Sequence, residues 1–163
     1  MDSANFCFHH PRGPIYGYIS ARGLQALVLP VHQAKRVYLL HSAANIVLGR
    51  TLERALEQYF SGVPMDFSDI PLDLDGATAF RRAVWLAARD VPWGALSTYG
   101  GLAQRMGRSL GSARAVGQAL GANPIAIVIP CHRFVASGGG LGGFGAGLAW
   151  KRELLALEGH TFD

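Results

Sequence analysis

Residues 62–76 read GVPMDFSDIPLDLDG. Prolines and aspartates at this density end any long helix or strand. Proline fixes φ and donates no backbone N–H, while aspartate and glycine favour turns. The stretch has the composition of a linker and predicts a domain boundary near residue 75. A chain of 163 residues, half of them hydrophobic, then divides into two small domains, 1–75 and 76–163, each with its own core. The halves differ in charge. The first carries six basic and seven acidic side chains, the second nine and four. The basic second half suits a polyanionic partner, nucleic acid first.

In the first half, PIYGYIS (14–20) and LQALVL (24–29) flank the short turn ARG, which reads as a β-hairpin. Residues 33–60 follow a helical period. Leu52, Leu56, Tyr59 and Phe60 share a face, and Gly62 stops the helix. No apolar run reaches the length of a membrane span. The segment MDSANFCFHHPRG lacks the layout of a signal peptide. The expectation is a cytoplasmic protein, nuclear in a eukaryote.

The second half opens with ATAFRRAVWLAARD, where Phe80, Val84, Trp85 and Ala87 or Ala88 make a packing stripe ended by Pro92 and Gly94. Ser97 and Thr98 are good N-caps for TYGGLAQRMG, with Leu102 and Met106 facing inward. SARAVGQALG is a second short helix, capped by Ser109 or Ser112. Two short helices joined by the turn RSLG form a helix-turn-helix, or simply two packed helices. The second is slim, rich in alanine and glycine, with Arg114 near its start. Such a helix suits close, sequence-blind contact better than reading of base edges.

IAIVI (125–129) then reads as a short buried strand that Pro130 ends, with Cys131 at its tip. ASGGGLGGFGAG follows. Its backbone can line a pocket at close range, or it is a loose loop. LAWKRELLALEG closes the chain as a helix with Leu148, Leu154, Leu155 and Leu157 available for packing.

Cys131 is a buried small apolar residue or a nucleophile. As a nucleophile it needs a base or a positive neighbour, because a free thiol is only about 3% thiolate at neutral pH. His132 and Arg133 are next to it in sequence. On an extended chain adjacent side chains point apart, so a water is the better link between Cys131 and His132. Glu158 is one of the few acids in this half and can orient the imidazole. Metal binding needs three or four ligands at coherent spacing. No CxxC or HxxxH surrounds Cys131, and Cys7 with His9, His10, His32 or His41 matches no standard site. No metal and no cofactor are expected.

The block RAVGQALGANPIAIVIPCHRFV (114–135) resembles the signature of the O6-alkylguanine-DNA alkyltransferases. The likeness extends through FRRAVWLAARDVPWGALSTYGGLA and GGFGAGLAWKRELLALEG, and more weakly through HPRGPIYGYISARGLQALVL and YFSG. It implies an α/β (α+β) fold: an RNase H-like N-terminal domain, then a mainly helical domain with the helix-turn-helix. By this resemblance Cys131 accepts an alkyl group from O6 of guanine. His132 deprotonates it through a water, and Glu158 polarises His132. Asn123 braces the turn beside the site. Tyr99 displaces the target nucleotide and protonates the leaving guanine. Arg114 fills the vacated space in the duplex.

Ser112, Ala113, Ala115, Gly117 and Arg133 are the further DNA-binding positions expected, and Val135, Phe144 and Gly145 line the substrate pocket. The implied partner is double-stranded DNA bound through its minor groove by a monomer. Phe144 and Gly145 stand where the family often has tyrosine and a serine, glycine or alanine, which predicts room for bulkier alkyl groups. Two other classes remain open at this point. One is an alkyltransferase-like module that binds damage without repair, although such proteins replace the cysteine. The other is a thiol hydrolase using Cys131, His132 and Glu158.

Overall fold

The computed structural model describes residues 4–30 and 43–162. It is an α+β chain that divides into two compact units: Met1–Asp75 with Pro124–Val128, and Gly76–Asn123 with Ile129–Asp163.

The first unit holds an antiparallel sheet of β1 (Phe6–His10), β2 (Gly13–Ile19) and β3 (Leu24–Val28), in that order, with helix α1 (Ala43–Phe60). The β2–β3 hairpin is the expected one. β1 was not anticipated, and it pairs Phe6 with Gly17 and Phe8 with Ile15. A Cβ on Gly17 would lie 2.8 Å from the Phe6 ring, so the absence of a side chain there lets the ring lie down on β2. Leu52, Leu56 and Tyr59 of α1 are fully buried. The rest of the expected helix over 33–60, its start before residue 43, lies outside the described residues.

The aspartate-rich stretch is packed rather than a free linker. Phe67, Ile70 and Asp73 are buried. Leu72 bridges to Leu24, and the Asp73 carboxylate accepts from Ser20 Oγ at 2.6 Å and Gln25 Nε2 at 3.0 Å. A buried carboxylate held by such donors costs little of what an unpaired one would.

The second unit contains α2 (Ala79–Arg89), a two-residue strand β4 (Ser97–Thr98), α3 (Tyr99–Arg105), a 3-10 turn (Leu110–Ser112), α4 (Ala113–Gly121), a second 3-10 turn (Cys131–Arg133), β5 (Phe134–Val135) and α5 (Leu148–Leu157). Thr78 caps α2 by accepting from the Arg81 amide, and Thr98 caps α3 by accepting from the Gly101 amide. Neither Ser109 nor Ser112 caps α4 with its side chain, because the 3-10 turn between them leads directly into the helix. Trp85 of α2 is buried and donates Nε1–H to Ala119 O of α4 at 2.7 Å, which fixes α4 against the helix that carries the core stripe. At the end of α3, Met106 is half-buried, and in α5 Leu148 is exposed, its Trp150 and Lys151 neighbours being the buried ones.

The expected strand 125–129 is not a strand. Its residues are buried as anticipated, apart from half-buried Ala126. Only Ile125 makes a bridge, to Leu27, and Ile127 takes a φ of +70°. The Val128 amide folds back to Ala126 O and the Cys131 amide to Ile129 O, both at 2.8 Å. The prolines at 124 and 130 remove two donors that a ladder would use. The segment therefore turns twice and delivers Cys131 into a 3-10 turn instead of onto a strand tip.

Candidate active site

Parallel pairing of β4 with β5 sets Ser97 beside Phe134 and Thr98 beside Val135. Tyr99 is thereby placed next to the chain that has just passed through Cys131, His132 and Arg133. Cys131 is half-buried and lines a cavity of about 490 Å³. Tyr99, Arg114 and Gly117 form one part of the wall, and Phe144 and Gly145 another. Leu120 adds apolar surface. The cavity is thus built by α3, α4, the cysteine turn and the glycine loop.

Asn123 donates from Nδ2 to Cys131 Sγ at 3.0 Å and to Ile129 O at 2.9 Å. Burial pushes the Cys131 thiol above its ordinary value, while the Asn123 hydrogen bond and the charge of Lys151 pull it down. His132 is fully buried, and its Nε2 lies 2.7 Å from Glu158 Oε1. Burial pushes the imidazole below its ordinary value and the Arg133 and Lys151 charges act the same way, against the upward pull of Glu158. Burial would raise Glu158, but the hydrogen bonds and charges of His132 and Arg133 outweigh it and hold the carboxyl at about 2. Glu158 is therefore ionised at neutral pH and accepts. The Nε2 of His132 carries the proton, and Nδ1 is the nitrogen with the lone pair.

The remaining expected residues divide. Arg114 and Ala115 are exposed, and Ser112, Ala113 and Gly117 half-buried, on the N-terminal part of α4. Two positions need correction. Arg133 was expected at DNA. Its guanidinium is buried and gives Nε to Glu158 Oε2 at 2.8 Å, Nη2 to Glu158 Oε1 at 2.9 Å and Nη1 to Val91 O at 2.5 Å, so it serves the protein interior. Val135 was expected in the substrate pocket. It is buried in β5 against Thr98 and is not part of the cavity wall.

One residue was missed. Lys151 is fully buried, and its Nζ donates to Phe134 O at 2.6 Å, to Gly143 O at 3.1 Å and to Leu141 O. It clamps the glycine loop and lies 5.9 Å from the Tyr99 ring centroid. Burial lowers its ammonium to about 8, with Cys131 pulling it back up. The signal was present, because Lys151 stands three and four residues before Leu154 and Leu155, the spacing of one helix face. The buried cluster holds two cations, Arg133 and Lys151, and one carboxylate.

The model of one protein family, described as "6-O-methylguanine DNA methyltransferase, DNA binding domain", matches residues 79–160. The methylated-DNA–protein-cysteine methyltransferase of Haemophilus influenzae is 47% identical over 118 residues, 72% of this chain and 65% of that protein. That of Shigella flexneri is 40% identical over 133 residues, 82% of this chain and 75% of the relative. The chain belongs to the methylated-DNA–protein-cysteine methyltransferase family. Its match spans just under two thirds of the Haemophilus influenzae methyltransferase, at 65%. Among solved structures, the Mycobacterium tuberculosis OGT in complex with DNA is 34% identical, with a TM-score of 0.74 over 94% of this chain and 91% of that one. The Mycobacterium tuberculosis O6-methylguanine methyltransferase is 36% identical with a TM-score of 0.76. Both likenesses reach beyond the family match into the sheet-bearing unit, and within that match lie Cys131, His132, Glu158, Asn123 and Tyr99.

Proposed function

We propose that this chain repairs alkylated DNA by moving the alkyl group from O6 of guanine to Cys131, once per molecule. The observation that carries the reading is the sulfur itself. It is open to a cavity of about 490 Å³ and held by Asn123, and the Asn123 hydrogen bond and the Lys151 charge work towards the thiolate against the larger effect of burial. His132 Nδ1, with Glu158 fixing the opposite nitrogen, takes the thiol proton through a water. The thiolate attacks the alkyl carbon. The S–C bond forms as the C–O bond breaks, and the electron pair leaves with guanine O6. Tyr99 protonates the leaving base; burial raises its hydroxyl, so it is present as the acid. The product is a thioether, which no nearby group can hydrolyse, so the protein is consumed.

The target atom lies inside the stack, so the nucleotide has to rotate out at a cost of a few kcal/mol. Arg114, exposed at the start of α4 and on the cavity wall, fills the space it leaves. The partner is duplex DNA, met through the minor groove by the slim, basic face of α4. The apolar wall of Leu120 and Phe144, with no side chain at Gly145, accommodates alkyl groups larger than methyl. A half-exposed cysteine in the wall weighs against a module that only binds damage.

Mass measurement after incubation with a duplex containing one O6-methylguanine tests the reading. A single gain of about 14 Da, one CH₂ placed on Cys131, is expected. Cys131→Ser should gain nothing yet keep its affinity for DNA. Repair retained by that variant would overturn the assignment.

A further inference from the structure

In a 3-10 turn successive side chains do not diverge as they do on a strand. In the turn Cys131–Arg133, His132 and Arg133 converge on one carboxylate. Glu158 Oε1 accepts from both His132 Nε2, at 2.7 Å, and Arg133 Nη2, at 2.9 Å. Oε2 accepts from Arg133 Nε at 2.8 Å, and the Gly94 amide lies 3.4 Å from it. The third arm of the guanidinium ends on Val91 O. All three side chains are buried.

We infer that Arg133 is a positioning residue for the transfer reaction: its two-pronged grip on Glu158 sets how strongly that carboxylate pulls on His132, and so keeps the imidazole neutral and ready to take the thiol proton. This rests on the proposed role of His132 as base.

A bare buried carboxylate 2.7 Å from an imidazole favours imidazolium, and an imidazolium cannot accept a proton. The guanidinium neutralises that carboxylate at contact distance. It also occupies both oxygens in fork geometry, which a lysine cannot reproduce. The result is an acceptor firm enough to fix the Nε2–H tautomer and too weak to charge the ring. Lys151 from α5 also acts on His132 by its charge, and Cys131 is the titratable residue beside it in the turn. The loop after α2 brings the Val91 carbonyl to Arg133 and the Gly94 amide to Glu158, and the carbonyl of Gly94 is in turn held by His160 Nε2 at 2.7 Å. Lys151 opposes imidazolium as Arg133 does, but its ammonium donates to the carbonyls of Phe134, Leu141 and Gly143. Arg133 is the cation whose side chain holds both oxygens of the acid that touches the base.

The test pairs kinetics with a measurement that needs no activity. In Arg133→Met, the acid limb of the pH–rate profile for transfer should move to higher pH by about one unit or more. The imidazole NMR titration of His132 should move with it. Arg133→Lys, which keeps the charge and loses the fork, should shift both by less, and it decides the matter alone if the methionine variant does not fold. Affinity for an unmodified duplex should stay within about twofold, since a buried guanidinium makes no phosphate contact. A uniform drop in rate with neither the profile nor the His132 titration displaced would overturn the inference. So would lost DNA affinity with an unmoved titration. If the wild-type protein transfers no alkyl group, the functional reading fails while the titration still judges the link from Arg133 to His132.

Discussion

The side-chain amide of Asn123 binds the sulfur of Cys131 and the carbonyl of Ile129 at once, at 3.0 and 2.9 Å. One group thus closes the turn that carries Cys131 and donates to its sulfur. A hydrogen bond to a charged acceptor contributes ~1.5–3 kcal/mol. Asn123→Ala should therefore raise the thiol further and slow alkylation of Cys131 at neutral pH by about tenfold or more. Asn123→Asp should be worse, since it sets an anion against the thiolate. The rate of iodoacetamide labelling against pH checks this, in a Cys7→Ser background because Cys7 is also a free, half-buried thiol. Equal profiles for wild type and Asn123→Ala would show that the contact does not act on the sulfur.

Glu158 links the site to acid stability. Its carboxyl is held at about 2 against 4.5 for the free side chain, so between these values the unfolded state binds the extra proton. The stability it contributes is complete above pH 4.5 and is lost as pH falls towards 2. At ~1.4 kcal/mol per pH unit this amounts to ~3 kcal/mol. Glu158→Gln is less stable at neutral pH because Arg133 loses its partner, but it should lose less on acidification. Chemical denaturation at pH 6 and pH 3 reads the difference. Parallel losses in both proteins would place the acid sensitivity elsewhere, for example at Asp73, whose carboxyl is also lowered, chiefly by the Ser20 hydrogen bond.

Local chemistry made the helices of the second unit legible. The Thr98 cap and the Val84, Trp85 and Ala88 stripe stand where spacing put them. β1 was legible too, since Phe6 and Phe8 stand two residues apart, the period of one strand face, and it went unread. Three features had no local signal. The turns at 125–131 place a β-branched residue, Ile127, at positive φ, which local propensity argues against. Arg133 read as a surface cation because nothing nearby in sequence shows that Glu158, 25 residues on, lies against it. Asp73 read as linker for the same reason, its partner Ser20 being 53 residues away. Periodicity reports which face is buried. It does not report which distant charge makes burial of another charge affordable.

Gly142 sits at φ +70°, and a Cβ there would lie 2.4 Å from the Tyr99 hydroxyl. Gly142→Ala should cost about 1 kcal/mol in backbone conformation and displace either the loop or the tyrosine. Transfer from duplex DNA should slow. In a Tyr99→Phe background the added methyl should cost less, because the atom it meets first has gone. Rates for both singles and the double make a cycle. Strict additivity would mean that the loop moves without touching Tyr99.

Arg114 is the exposed cation of the cavity wall, one residue into α4. Filling the gap left by an extruded nucleotide helps only where there is a stack to fill. Arg114→Ala should therefore slow repair of O6-methylguanine in a duplex by about one to two orders of magnitude, the equivalent of the few kcal/mol of lost stacking. Transfer from the free alkylated base should change by less than about threefold, since no extrusion is involved and the Cys131–His132–Glu158 array is untouched. Placing the lesion opposite a mismatch, where unstacking is already cheap, should narrow the gap between variant and wild type. An equal loss on the duplex and the free base would assign Arg114 to the chemistry at the pocket rather than to the opening of the helix.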